Sequence, residues 1–187
     1  NHYSSITKES LLVKKLSNTS TPSVSILIRS MNRSTLTEAL ASVIEQTYPN
    51  CHLVIVNASG KAHKPLVDFH LPASLPAILV EPERALPRAE AANAALEVCT
   101  TDYALFLDDD DLLNKNHIEH LVNTLSRHPD SPAAYSGIRI VSDQQSRDEI
   151  TEWQNGLLYA QNFLPIHSVL FRMSAVRQFE CQFDTQF

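Results

Sequence analysis

Residues 103–107 are five apolar positions, Tyr-Ala-Leu-Phe-Leu, that stop abruptly at four consecutive aspartates, Asp108, Asp109, Asp110 and Asp111. An apolar run of that length, bounded by polar residues, predicts a central strand buried on both faces. Four adjacent carboxylates repel one another, and a fold keeps them together only when something positive offsets that cost. A hard divalent cation is the usual partner, because it takes carboxylate oxygens and a ligand's phosphates together. The carboxyl end of a strand in an open α/β sheet is also where such sheets bind ligands. The competing expectation is a solvated acidic turn that caps the next helix.

Strands and helices alternate around that run. Residues 23–28 and 52–56 read as strands on either side of a helix whose apolar face is Leu36, Leu40, Val43 and Ile44. Thr35 and Glu38 have the spacing of a capping box at its start. Residues 77–80 form a short third strand, and the alanine-rich stretch 88–98 has the composition of a good helix. Residues 116–128 are an amphipathic helix, with Ile118, Leu121, Val122 and Leu125 on its inner side. Fifth and sixth strands are expected over 133–140 and 166–172, with 142–156 a polar loop and Ser174 capping a short helix. Pro65, Pro72 and Pro76 leave 61–76 irregular. The fold class is α/β, a mostly parallel, Rossmann-like open sheet flanked by helices with right-handed crossovers. Residues 1–21 read as an N-terminal arm and 22–187 as the domain.

Composition narrows the function. A net charge of −6 argues against nucleic acid as a partner, which calls for a basic face. It leaves a nucleotide open, since a metal can supply the missing positive charge. Three glycines in 187 residues exclude a phosphate loop of the GxGxxG or Walker type. The three cysteines, Cys51, Cys99 and Cys181, lie far apart without a CxxC pair. They read as reduced thiols of a cytosolic protein, not as a disulfide framework or a zinc site. No apolar run approaches the ~18 residues that a bilayer span needs, so no transmembrane segment is expected.

Four segments, in order, carry a resemblance. Val24-Ser25-Ile26-Leu27-Ile28 with Asn32-Arg33 is similar to the opening strand and loop of the inverting family-two glycosyltransferases. The stretch 40–49, ending Gln46-Thr47-Tyr48-Pro49, resembles their first helix, and 88–96 the helix before the acidic strand. Phe106-Leu107-Asp108-Asp109-Asp110-Asp111 resembles their DxD-type signature. The resemblance implies the glycosyltransferase A fold and a nucleotide-sugar donor, a UDP-sugar first, held through Mn²⁺ or Mg²⁺. It further implies inverting transfer to a glycan or lipid-linked acceptor in cell-envelope glycan biosynthesis. The setting implied is the cytoplasm or the inner face of the membrane.

On that analogy Asp110 ligates the metal directly, while Asp108 approaches the ribose or a metal-bound water. Alternation along an extended segment points the two the same way. Asp111 supports them, and Asp109 either belongs to the donor site or faces away to cap the following helix. Ser30, Asn32 and Arg33 line the nucleoside side, where the alternative is an ordinary helix-entry loop. Asn57 is placed to hydrogen-bond the base. Arg88 lies near the base or diphosphate, or is a solvated helix residue, and Asn93 either joins the donor site or orients the loop before it. His167 is an extra metal ligand, an acceptor contact or a core histidine. Trp153 stacks on an acceptor sugar or packs under its loop. His117 and His120 read as a solvated helix face.

Two positions depart from the family's pattern. Ala58 stands where the loop after the second strand commonly carries an acid, and Ala92 precedes Asn93 where an arginine is usual. Inverting transfer needs a general base for the acceptor hydroxyl, and the family supplies it from an acidic pair after a Phe-Asp segment. Here Phe183-Asp184 is followed by three residues. The base and the C-terminal part of the domain are expected beyond Phe187, with Asp184 the weak candidate within the sequence. The competing functions are a nucleotide- or partner-binding module without turnover and a nucleotidyltransferase-like enzyme. The lack of a glycine-rich first loop counts against the latter.

Overall fold

The computed structural model describes residues 21–142 and 145–186. All but the last residue of the expected arm lies outside them. In chain order the elements are β1 (Val24–Ser30), α1 (Leu36–Ile44), β2 (Cys51–Asn57), β3 (Ala77–Val80), α2 (Arg88–Val98), β4 (Tyr103–Asp108), α3 (His117–Arg127), β5 (Ala133–Tyr135), β6 (Ile138–Val141), β7 (Ser146–Glu149), α4 (Leu157–Ala160), β8 (Val169–Arg172) and α5 (Met173–Gln178). Short 3-10 turns occupy Leu66–Phe69 and Ile166–Ser168.

Six strands form one sheet in the order β3-β2-β1-β4-β8-β5. β1, β2, β3 and β4 are parallel, whereas β8 runs antiparallel to both of its neighbours. Successive side chains of a strand point to opposite faces, and the apolar runs of β1, β2 and β4 fill both. Ile26, Ile28, Leu53, Ile55, Leu105 and Leu107 pack with the inner faces of α1 and α3. Leu27, Val54, Val56, Ala104 and Phe106 pack with Ala91, Ala92 and Ala95 of α2. Small residues on α2 let that helix lie close to the sheet.

Five expectations need correcting. The strand expected over 133–140 ends at Tyr135; its second half becomes β6, which pairs with β7 from within the expected loop to make a separate two-stranded ribbon. Gly137 makes the exit possible, since a Cβ there would sit 2.8 Å from the Glu149 carbonyl oxygen. The sixth strand starts at Val169, because Ile166–Ser168 turn tightly after Pro165, with Ser168 N–H and Oγ both donating to the Pro165 carbonyl. The Thr35–Glu38 capping box does not form. Thr35 is already helical at φ −62° and ψ −21°, and its Oγ1 is buried without a hydrogen-bond partner among the described residues. Ala39 lines the inner face of α1 with Leu36, Leu40 and Val43, while Ile44 turns outward. Likewise Ser174 lies within α5 and does not cap it.

Candidate active site

The chain leaves β1 toward β2 and β3, then returns to place β4 on β1's other side. That reversal opens a crevice at the carboxyl ends of β1 and β4, the position where open α/β sheets take their ligands. Three loops meet there, after β1, after β2 and after β4. In the β1–β4 register Arg29 stands opposite Asp108.

The four aspartates have four different settings. Asp108, at the end of β4, accepts from Arg29 Nε at 3.3 Å on Oδ1 and faces Arg88 at 3.7 Å on Oδ2. Asp109 is fully buried; Oδ2 accepts the Met31 N–H at 2.6 Å, and Oδ1 pairs with Arg33 Nη1 at 3.2 Å. It therefore turns into the molecule and braces the loop after β1, and the N-cap of α3 falls to Asn116. Asp110 is about half exposed and pairs with the same Arg33 nitrogen. Asp111 Oδ2 lies 3.0 Å from His167 Nδ1. The hydrogen bond from His167 holds the Asp111 carboxyl below its ordinary range against the opposing effect of burial, helped by the His167 and Arg88 charges.

Asp108, Asp110 and Asp111 each offer an oxygen, and these atoms lie within 4.8 Å of one another. The donors are all carboxylate oxygens, the chemistry that suits Mg²⁺ or Mn²⁺ and not a soft metal. Taken with buried Asp109, the four aspartates exceed the guanidiniums of Arg29, Arg33 and Arg88 by one negative charge.

The residues expected to line a nucleoside are brought together, but their side chains bond to neighbouring groups of the same loops. Buried Ser30 accepts the Asn32 N–H at 3.2 Å and meets His63 Nε2 at 2.9 Å through its Oγ. Asn32 has φ +59° and donates from Nδ2 to Ser59 Oγ and the Ala62 carbonyl. Asn57 is buried; Nδ2 donates to the Lys61 carbonyl at 2.7 Å, and Oδ1 accepts from Ser59 N–H and Oγ. Its amide is thus engaged within its own loop and not presented to a base. Asn93 lies apart from the aspartates. Its side chain makes a pair of bonds to the Phe183 backbone, Nδ2 to O at 2.9 Å and N–H to Oδ1 at 2.8 Å, which fastens α2 to the segment after α5.

Asp184 is exposed and accepts the Gln186 N–H at 2.8 Å, a turn contact. Trp153 is exposed, with its Nε1 donating to Asn155 Oδ1 and its ring tilted against Phe163. His120 is solvated as expected, but His117 is not. His117 Nε2 is buried with no hydrogen-bond partner among the described residues, and burial pushes its pKa down. His117 and His167 line a cavity of about 670 Å³ together with Asp110, Asp111, Glu38 and Arg139.

Sequence reasoning missed Arg29 and His63. The one charged residue of a β1 buried on both faces was a usable signal for Arg29, since such a strand tolerates a charge only beside a counter-charge. His63 sits in an irregular segment and left no such mark.

An acid-walled crevice at the switch point of a mostly parallel sheet is the arrangement of an α/β domain that takes its ligand at the carboxyl ends of its strands, and the fold is of the glycosyltransferase A type. Residues 25–183 match the family model "Glycosyl transferase family 2", and the chain belongs to that family. It is similar to Protein CgeD of Bacillus subtilis, 30% identical over 166 residues that cover 81% of this chain and 38% of that protein. Its fold is similar to TarS residues 1–349 of S. aureus, with a TM-score of 0.66 and 18% identity over 88% of this chain and 51% of that one. TarS has also been solved with UDP and with UDP-GlcNAc. A mannosyltransferase from Pyrobaculum calidifontis, PcManGT, in complex with GDP-Man and Mn²⁺, is similar at TM-score 0.66 and 18% identity, covering 90% of this chain and 49% of that one. The chain spans between 19% and 50% of the length of the curated relatives it matches. Among the described residues, no helix is long and apolar enough to cross a membrane.

Proposed function

We propose that this domain binds a nucleotide-sugar donor, a UDP-sugar, in the β1–β4 crevice and serves inverting transfer of the sugar to a glycan or lipid-linked acceptor. The observation that carries the reading is the convergence of Asp108, Asp110 and Asp111 at a switch point. These residues would hold Mn²⁺ or Mg²⁺. Bound there, the cation would supply Lewis-acid neutralisation of the charge that grows on a diphosphate leaving group.

The chain's own side chains position the donor. Arg29 and Arg88 address the two oxygens of Asp108 from different elements and keep that carboxylate fixed beside the ribose site. Asp109 fixes the Met31 backbone, so the loop that lines the nucleoside is set by a buried charge. With the side chains of Asn57, Ser30 and Asn32 engaged by Ser59, Lys61, Ala62 and His63, recognition of the base falls to backbone groups of these loops. The cavity beside Asp110, His117 and His167 is the space for the acceptor. A cytoplasmic setting, peripheral at the inner membrane face, and a part in cell-envelope glycan assembly complete the proposal.

Calorimetric titration of UDP and UDP-sugars with and without Mn²⁺ tests the donor site. Binding that requires Mn²⁺ and is abolished in Asp110→Ala is the expected result; nucleotide binding indifferent to metal would refute it. A second reading, donor binding without turnover, draws on Asp184, whose carboxylate is engaged in a local turn. Release of UDP from a UDP-sugar in the presence of acceptor glycans, lost in Asp110→Ala, eliminates that second reading.

A further inference from the structure

We infer that Arg33 is a resident counter-ion on the metal-binding carboxylate Asp110, and that it makes cation binding depend on the nucleotide. The inference rests on the donor-site reading above. One guanidinium nitrogen, Nη1, reaches two carboxylates, Asp109 and Asp110. Those two partners are not equivalent. Asp109 is fully buried, and among the described residues its one donor besides Arg33 is the backbone N–H of Met31. Removing a cation from a buried carboxylate is strongly unfavourable, because the charge is left uncompensated away from water. Asp110 is 48% exposed, where an ion pair contributes little and exchanges readily. Arg33 is thus anchored on Asp109 and loosely held on Asp110.

The loose contact is the one that matters. Asp110 is a member of the carboxylate trio, and Arg33 occupies its Oδ2. A divalent cation on the same carboxylate would be in contact with a like charge, so metal and guanidinium compete for Asp110. A diphosphate changes the balance, since guanidinium binds phosphate oxygens through paired, charge-assisted hydrogen bonds. Pivoting about Asp109, Arg33 can exchange Asp110 for the arriving phosphate and leave Asp110 open to the cation. Nucleotide and metal then favour one another, and by linkage each tightens the other by the same factor.

The test is a titration of Mn²⁺ read by the electron paramagnetic resonance of the free ion, with and without UDP, on the protein and its variants. The unaltered protein binds Mn²⁺ weakly alone and about tenfold more tightly with UDP. Arg33→Ala binds Mn²⁺ alone more tightly, by about fivefold, and the UDP enhancement shrinks to about twofold, the part owed to direct contact between cation and diphosphate. Arg33→Lys retains a charge for Asp109 without the reach to bridge both acids, and shifts the same way even where the alanine variant folds poorly. Arg84→Ala removes equal charge from the loop before α2, where Arg84 pairs with Glu90, and leaves the UDP enhancement as it was. An enhancement in both Arg33 variants equal to that of the unaltered protein overturns this inference and leaves the donor site standing. Absence of Mn²⁺ binding to any of the proteins, even with UDP, overturns both.

Discussion

Asp102 does at the start of β4 what Asp109 does at its end. Its Oδ2 accepts the Ser23 N–H at 2.7 Å and the Ser23 hydroxyl at 2.8 Å, tying the entry of β4 to the entry of β1. The backbone hydrogen bond from Ser23 is the main reason its carboxyl is held below the ordinary range, with burial acting in the opposite sense. In the unfolded chain an aspartate titrates near about 3.9. A depressed folded pKa means that the contact stabilises fully above that value and is lost as the pH falls through the lower folded one. Asp102→Asn should therefore melt at a lower temperature near neutral pH, yet lose less on acidification from about pH 5 to pH 3. Melting followed by circular dichroism across that range decides it, and an acid limb as steep as that of the unaltered protein would sink the assignment. Asp111, depressed by His167, contributes in the same sense and remains in the variant, so the limb shrinks without vanishing.

At the level of elements, the loops that shape the crevice are laced together in tiers. The Ala58 N–H donates to the Ser30 carbonyl, and the Leu86 N–H donates to the Ala58 carbonyl, joining the exits of β1 and β2 to the loop before α2. Gly60 permits the closest approach; its φ is +68°, and a Cβ there would lie 2.6 Å from the Ala85 nitrogen. Gly60→Ala should cost about 1–3 kcal/mol in urea unfolding, from backbone strain and overpacking together. Nucleotide affinity should fall with it, whereas an unchanged unfolding midpoint would show that the loops yield freely. The same tiers mark where sequence reading stops. β1, β2, β4 and their helices were readable because burial on both faces leaves unbroken apolar runs, and Asp108–Asp111 because four like charges demand a cause. Arg29 and Asp108 meet across 79 residues, a pairing set by strand register and not by any local pattern. The β6–β7 ribbon was missed for the opposite reason. It is exposed along most of its length and held by a cross-strand fork between Arg139 and Asp148, so no inward face announces it.

Across the whole molecule, the thiols report how the layers close. Cys51 lies in the core with its pKa pushed up to about 11 by burial, Cys99 is buried at the carboxyl end of α2, and Cys181 is exposed after α5. A thiol-specific reagent at about pH 8 should label Cys181 rapidly and the other two only after denaturant, because both are shut off from solvent and burial of Cys51 disfavours its thiolate as well. Fast labelling of all three in the native state would mean that neither layer is closed. The placement of β8 between β4 and β5 has a further consequence during synthesis. As the chain leaves the ribosome, β4 emerges with a partner on one side only, and its outer edge stays open until Val169–Arg172 follow. An open edge is a template for pairing with a neighbouring nascent chain. The aspartates at its end give every such chain the same sign of charge, so the residues proposed to hold a cation in the finished fold also keep its unfinished copies apart.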